Sequence, residues 1–156
     1  MGNSDNEAST VYLKTLLSYY EDEISGESYL YALAEHFDEK NKINLLARIE
    51  RRAAESIQPL LEKYGLEPRD ESVLNREGRS YLESHDSYSW TEFMEYIVKR
   101  YPGYLVEFHA LEQIAPAADL PALGVLTDHE VAVIDFAKME IAGDPDSTVP
   151  LILYLA

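Results

Sequence analysis

Two pairs of glutamates at one spacing constrain this chain more than any other feature. Glu27 and Glu50 are 23 residues apart, Glu107 and Glu130 are also 23 apart, and each pair straddles a loop between two helix-like segments. In an antiparallel helical hairpin, residues equidistant from the turn stand at one height. The midpoints, 38.5 and 118.5, both fall in predicted loops. At 1.5 Å of rise per residue, glutamates about 11 residues from a turn stand roughly 17 Å up each hairpin. If the hairpins pack together, four carboxylates meet at one level of what should be an apolar core.

The helices are predicted from periodicity. From Val11 to Phe37, Leu13, Leu16, Tyr20, Ile24, Tyr31 and Ala34 recur at three- and four-residue spacings, with Glu27 in the stripe. Asp38 to Asn41 forms a short polar loop, and Leu46, Ile49, Ala53, Ile57, Leu60 and Tyr64 mark a second helix that includes Glu50. Gly65 and Pro68 stop it. Residues 66–89 are charged, contain Gly78 and read as a long crossover with at most one short helical turn. A third helix from Trp90 to Ala115 carries Phe93, Ile97, Tyr101, Tyr104, Phe108 and Leu111, and Pro102-Gly103 predicts a kink or a break in it. A fourth follows Asp119, its expected N-cap, through Leu123, Leu126, Val133, Ala137 and Ile141 to Gly143, with Glu130 in line. Ser147 is the expected cap of a last short helix, Val149 to Leu155. The fold class is therefore all-α, with residues 1–10 a disordered lead-in and 11–156 one four-helix domain.

Composition closes off several function classes. The chain has no cysteine, which excludes disulfides, thiolate metal sites and cysteine nucleophiles. Thirteen basic against 29 acidic side chains give a net charge of −16, which repels nucleic acid and anionic lipid. No apolar run approaches the roughly 20 residues of a membrane span, and the polar start carries no export signal, so the expected compartment is the cytoplasm. No nucleophile elbow, phosphate loop, dinucleotide fingerprint or zinc-protease motif is present, and no catalytic side chain is assigned.

Buried carboxylates cost several kcal/mol each when unpaired, against a total stability of about 5 to 15 kcal/mol. Two divalent cations would neutralise four of them. Protons are another solution, as are arginines: Arg100 and the segment Arg48, Arg51 and Arg52 supply candidates.

With Glu27 and Glu107 on the first and third helices and Glu50 and Glu130 on the second and fourth, the pattern resembles the ferritin-like superfamily. The run Glu27, Tyr31, Glu35 and the stretch from His129-Glu130 to Glu140 and Gly143 share its local character. The resemblance spans about residues 11 to 143. It implies two antiparallel hairpins joined by a long crossover, with a dinuclear iron or manganese site at Glu27, Glu50, Glu107 and Glu130 and chemistry on oxygen, peroxide or ferrous iron. The histidines expected three residues after the second and fourth glutamates are replaced by Ala53 and Val133. An all-carboxylate site favours hard ions such as manganese, magnesium or calcium.

Tyr31 and Tyr104, one turn from Glu27 and Glu107, are candidates to hydrogen-bond the carboxylates, although tyrosines at this spacing are more often core residues. His129 is a candidate beside the site, but neighbours on a helix diverge by about 100°, which argues against its sharing an ion with Glu130. His109 stands in a similar relation to Glu107, while His36 and His85 suit solvent-facing positions, and Glu112 and Glu140 suit solvated faces. The alternative to a metal site is a metal-free interaction or small-molecule-binding protein on the same scaffold. Either is compatible with a homodimer formed through the tyrosine-rich face or the apolar tail.

Overall fold

A computed structural model describes residues 8–84 and 88–156, without the side chains of 83 and 84. Most of the expected lead-in and His85 lie outside the described residues. Within them the protein is all-helical, with α1 (Thr10–Leu33), α2 (Lys40–Lys63), α3 (Glu71–Ser80), α4 (Trp90–Ile114), α5 (Leu120–Ile141) and α6 (Val149–Leu155). No helix is long and apolar enough to cross a membrane among the described residues.

Local chemistry sets the boundaries. Ser9, expected in the lead-in, instead caps α1, its hydroxyl accepting from the Tyr12 amide at 3.1 Å. Ser89 and Glu92 form a reciprocal capping box at the start of α4. Gly65 and Gly143, at φ of +64° and +71°, end α2 and α5. In each case the glycine amide and the next amide close back onto the last turn: Gly65 onto Glu62 and Leu66 onto Leu61, Gly143 onto Glu140 and Asp144 onto Met139. This double closure requires a left-handed residue, which only glycine supplies without a Cβ penalty.

Four expectations are corrected and one is narrowed. The crossover holds the ten-residue α3, which packs along α1. A Cβ on Gly78 would lie 2.1 Å from the Ser25 carbonyl oxygen, so glycine is what allows the two backbones to meet; the Ser28 hydroxyl then donates to the Asn75 carbonyl at 2.9 Å. Of the kink or break expected at Pro102, the break does not occur, since α4 continues through the proline as one helix. Asp119 occupies the N-cap position without capping: it is fully buried, and its carboxylate accepts from Tyr12 Oη (2.7 Å), Tyr64 Oη (2.6 Å) and Lys63 Nζ (2.7 Å). Ser147 does not cap α6 either, since its hydroxyl is committed to Glu140. Glu140 is no solvated carboxylate, taking bonds from Lys42 Nζ at 2.7 Å and Trp90 Nε1 at 2.9 Å as well.

Helices α1 and α2 pack along one another, as do α4 and α5, and α2 packs on α5. Helix α6 lies against α5 and α2. In contrast, α1 and α4 meet only sparsely, which opens a gap on that side. The core consists of two large apolar layers and a small cluster of Ile24, Ala54 and Leu74 under α3. One gathers Leu30, Leu33, Ile43, Leu46, Phe93, Ile97, Val133 and Phe136; the other gathers Tyr12, Leu16, Ala53, Ile57, Phe108, Leu111, Leu123 and Leu126. Along α1, α2, α4 and α5 alike, the stretch between these layers is polar or tyrosine-rich.

Candidate metal centre

The polar layer is built from Glu23 on α1, Glu50 on α2 and the adjacent His129 and Glu130 on α5, all buried except the partly buried Glu50. Their placement follows from helix length. Glu23 stands ten residues before the end of α1, and Glu50 and Glu130 stand ten residues after the starts of α2 and α5. All three are therefore about 15 Å from the connected helix ends.

His129 Nε2 lies 3.0 Å from Glu130 Oε2, 3.2 Å from Glu23 Oε2 and 3.7 Å from Glu50 Oε2. Yet Nε2, Glu23 Oε2 and Glu130 Oε1 are buried without a hydrogen-bond partner among the described residues. The other ring nitrogen, Nδ1, is bonded to the Leu126 carbonyl. A carbonyl can only accept, so Nδ1 carries a proton and Nε2 is left facing the carboxylates, a donor to them when the ring is charged and a free lone pair once that proton is displaced. A histidine fixed through Nδ1–H to a backbone carbonyl is the arrangement that orients an imidazole for a metal. Ligand atoms of Glu23, Glu50 and His129 all lie within 4.8 Å of one another. An ion about 2.1 Å from each donor needs neighbouring donors roughly 3.0 to 3.4 Å apart, and the 3.2 and 3.7 Å separations are close to that. The buried Glu23, Glu50 and His129 group can thus hold a metal ion. At Gly26 on α1 a Cβ would touch the Glu50 carboxyl at 3.4 Å, so any longer side chain there would crowd that ligand.

Without a metal, protons offset part of the layer's charge. Burial, then the charge of Glu23, pushes the Glu50 carboxyl well above the usual range, which favours a proton on Glu50 beside an ionised Glu23. Burial acts to raise Glu23 as well, but His129 and the bond with Glu50 outweigh it and the carboxyl is lowered. Burial disfavours charge on His129, yet Glu23 and Glu130 hold its pKa well above the ordinary value. Glu130 is raised by burial more than His129 lowers it. Among the described residues no lysine or arginine pairs with this layer. Asp119, by comparison, has all its partners supplied.

Of the predicted ligands, Glu50 and Glu130 are in the layer, and Glu27 and Glu107 are not. Glu27 faces the other side of α1, where Arg51 Nε and Nη2 donate to it at 2.9 and 2.7 Å; Arg51 also pairs with Glu71 of α3. The 3₁₀ turn Ala34–His36 lengthens the first connection and moves its centre towards the N-terminus, so Glu23 rather than Glu27 comes level with Glu50. The corresponding position on α4 is Tyr104, and Glu107 is exposed at the rim. Tyr31 is 46% exposed and Tyr104 45% exposed, and neither makes a hydrogen bond to a carboxylate of the layer among the described residues. His129, expected beside the site, is at its centre: both side chains are long enough to bend from their 100° divergence onto one point. Arg48, Arg51, Arg52 and Arg100 do not neutralise it. His109 pairs with Glu112 at 3.4 Å, away from the layer. A signal for Glu23 exists in the sequence, because it sits midway between Leu16 and Leu30 at seven-residue spacing.

Glu23, Glu50 and Glu130 form the floor of a cavity of about 390 Å³ that fills the gap between α1 and α4. Its walls are Tyr19, Tyr29, Tyr96, Tyr101, Tyr104 and Phe108, with Asp22 and Glu107 also lining it. This volume is within the range of small-molecule sites. Comparison with known protein families, characterised proteins and solved structures finds no match for the chain.

Proposed function

We propose that this protein binds one divalent transition-metal ion through Glu23, Glu50 and His129, with Glu130 alongside, and that the ion acts on a small molecule entering by the tyrosine-lined cavity. The observation that carries the reading is the convergence of His129 Nε2 and Glu23 Oε2, both buried without a hydrogen-bond partner among the described residues, with Glu50 Oε2, the imidazole held by its Nδ1 bond to Leu126. In an apolar interior, polar atoms left without partners are costly, and a cation satisfies them together. His129 supplies the nitrogen missing at Ala53 and Val133, and one imidazole with carboxylates suits ferrous iron or manganese better than oxygen donors alone. Either ion would bring oxygen or peroxide chemistry, placing the protein among oxidoreductases.

The same proposal takes α1, α2, α4 and α5 as a divergent ferritin-like four-helix arrangement. In it the first-helix ligand has moved one turn to Glu23, the third helix contributes tyrosines, and the centre is reduced from two ions to one. The competing metal-free reading is favoured by a proton on Glu50 beside an ionised Glu23. Anaerobic loading with manganese or ferrous iron, followed by metal analysis, separates the two. One ion per chain, lost in Glu23→Gln and His129→Gln variants, supports the metal centre; a protein that takes up no ion, or whose uptake survives both substitutions, rejects it.

A further inference from the structure

The cavity itself carries a second chemical signature: we propose that it binds a small organic ammonium ion. This names the ligand class for the metal-centred function and rests on that reading for the chemistry, though not for the binding. Five carboxyl side chains line the cavity, from Asp22, Glu23, Glu50, Glu107 and Glu130, and no lysine or arginine does so among the described residues. A divalent ion held by Glu23, Glu50 and His129 leaves Glu130, Asp22 and Glu107 to balance. Glu130 is 4% exposed, and its Oε1 has no hydrogen-bond partner among the described residues, so a buried acceptor at the floor awaits a donor. An anion is repelled there, and a neutral apolar guest would seal that oxygen away from water.

The walls favour a cation as strongly as the floor. Tyr101 stands edge-on to both Tyr96 (centroids 6.3 Å, planes at 77°) and Tyr104 (5.4 Å, 65°), so ring faces of different orientation surround one space. Such faces attract an ammonium group through the ring quadrupole while their hydrocarbon accepts an alkyl chain. Arg100 lines an adjoining outer cleft with Glu107 and Tyr104 and does not line the cavity.

The test is calorimetric titration, at neutral pH, of metal-free and manganese-loaded protein with three ligands of equal chain length: hexylammonium, hexanol and hexanoate. Hexylammonium is expected to bind both forms at least about tenfold more tightly than hexanol, and hexanoate is expected not to bind. Tyr104→Leu and Glu107→Gln change rim residues that the fold does not bury; each should weaken hexylammonium binding by about three- to tenfold. Equal affinity for hexanol or hexanoate, no binding of hexylammonium, or binding indifferent to both substitutions would overturn the proposal. So would binding confined to the manganese form that strengthens steadily with pH, since the free amine would then be ligating the ion. Hexylammonium binding by a protein that takes up no manganese sinks the metal reading alone; manganese uptake without hexylammonium binding sinks this inference alone.

Discussion

Replacing Glu50 by glutamine separates the two roles assigned to this carboxyl. Burial and the Glu23 charge keep Glu50 protonated in the metal-free protein, and an amide has nearly the same shape and can donate to Glu23 as the acid does. The exchange should therefore change metal-free stability by no more than about 1 kcal/mol. In a domain of this size that is roughly 2 to 4 °C in Tm. Were Glu50 instead an ionised partner of His129, breaking the buried pair would cost about 3 to 5 kcal/mol, or roughly 6 to 20 °C. With metal the outcome reverses. At about 100 times its Kd, manganese should stabilise the native protein by about 2.7 kcal/mol. That raises Tm by roughly 5 to 11 °C. Exchange of a ligating carboxylate for a neutral amide should weaken affinity at least about 100-fold, more than is usual for an outer partner. At the same manganese concentration the variant then gains less than about 0.5 kcal/mol. Thermal melts of both proteins with and without manganese give all four values. A Glu50→Gln variant that is several kcal/mol weaker without metal, or that keeps the manganese-induced rise, would refute the assignment.

Other expectations follow from the same geometry. The pKa values of Glu50 and His129 are raised on folding, so their contribution to metal-free stability is present below the unfolded values and lost as pH rises through the folded ones; Asp22, raised chiefly by burial to about 6, adds a loss between its unfolded value of 3.8 and that pH. Denaturant melts of metal-free protein should accordingly show stability falling as pH rises above about 4, through Asp22 first, while manganese affinity climbs with pH because the ion displaces protons from Glu50 and His129. Glu27→Gln and Glu107→Gln should leave manganese stoichiometry and affinity unchanged, and the first should cost only about 1 kcal/mol, as the Arg51 pair is partly exposed. Asp119→Ala, which strands the buried Tyr12 hydroxyl, should lower stability by about 2 to 4 kcal/mol in chemical denaturation without affecting metal uptake. Gly78→Ala should cost about 1 to 3 kcal/mol by forcing α3 off α1, whereas Gly65→Ala, with open space around its Cβ, should cost about 1 kcal/mol from backbone strain alone.

The helices were legible because their signals are local. Apolar residues at three- and four-residue spacing mark α1, α2, α4 and α5, and glycine with a following proline or aspartate marks two of their ends. Helix α3 was less visible: its burial rests on Leu74 and Gly78, and a glycine reads as a breaker until the backbone it lies against is known. The site was legible in part for the same reason. Glu50 and Glu130 interrupt regular heptad-like stripes, Leu46-Glu50-Ala53 and Leu126-Glu130-Val133, and both are found in the polar layer. Glu23 was masked by neighbours, because Asp22, Glu23 and Glu27 all stand on α1, and the choice among them depends on a three-residue turn at its far end. Setting His129 beside the site rests on the angle between ideal Cα–Cβ directions, which a flexible glutamate side chain overrides. Arg51, a sequence candidate to neutralise the cluster, neutralises Glu27 on the outward side of α1 instead.

The most direct test is the coordination sphere of manganese bound to the native protein, read by electron paramagnetic resonance with electron–nuclear double resonance during a titration. The predicted result is one ion per chain with a single directly bonded nitrogen, from His129 Nε2, that disappears in His129→Gln. No uptake, or an ion surrounded by oxygen alone, would contradict the account.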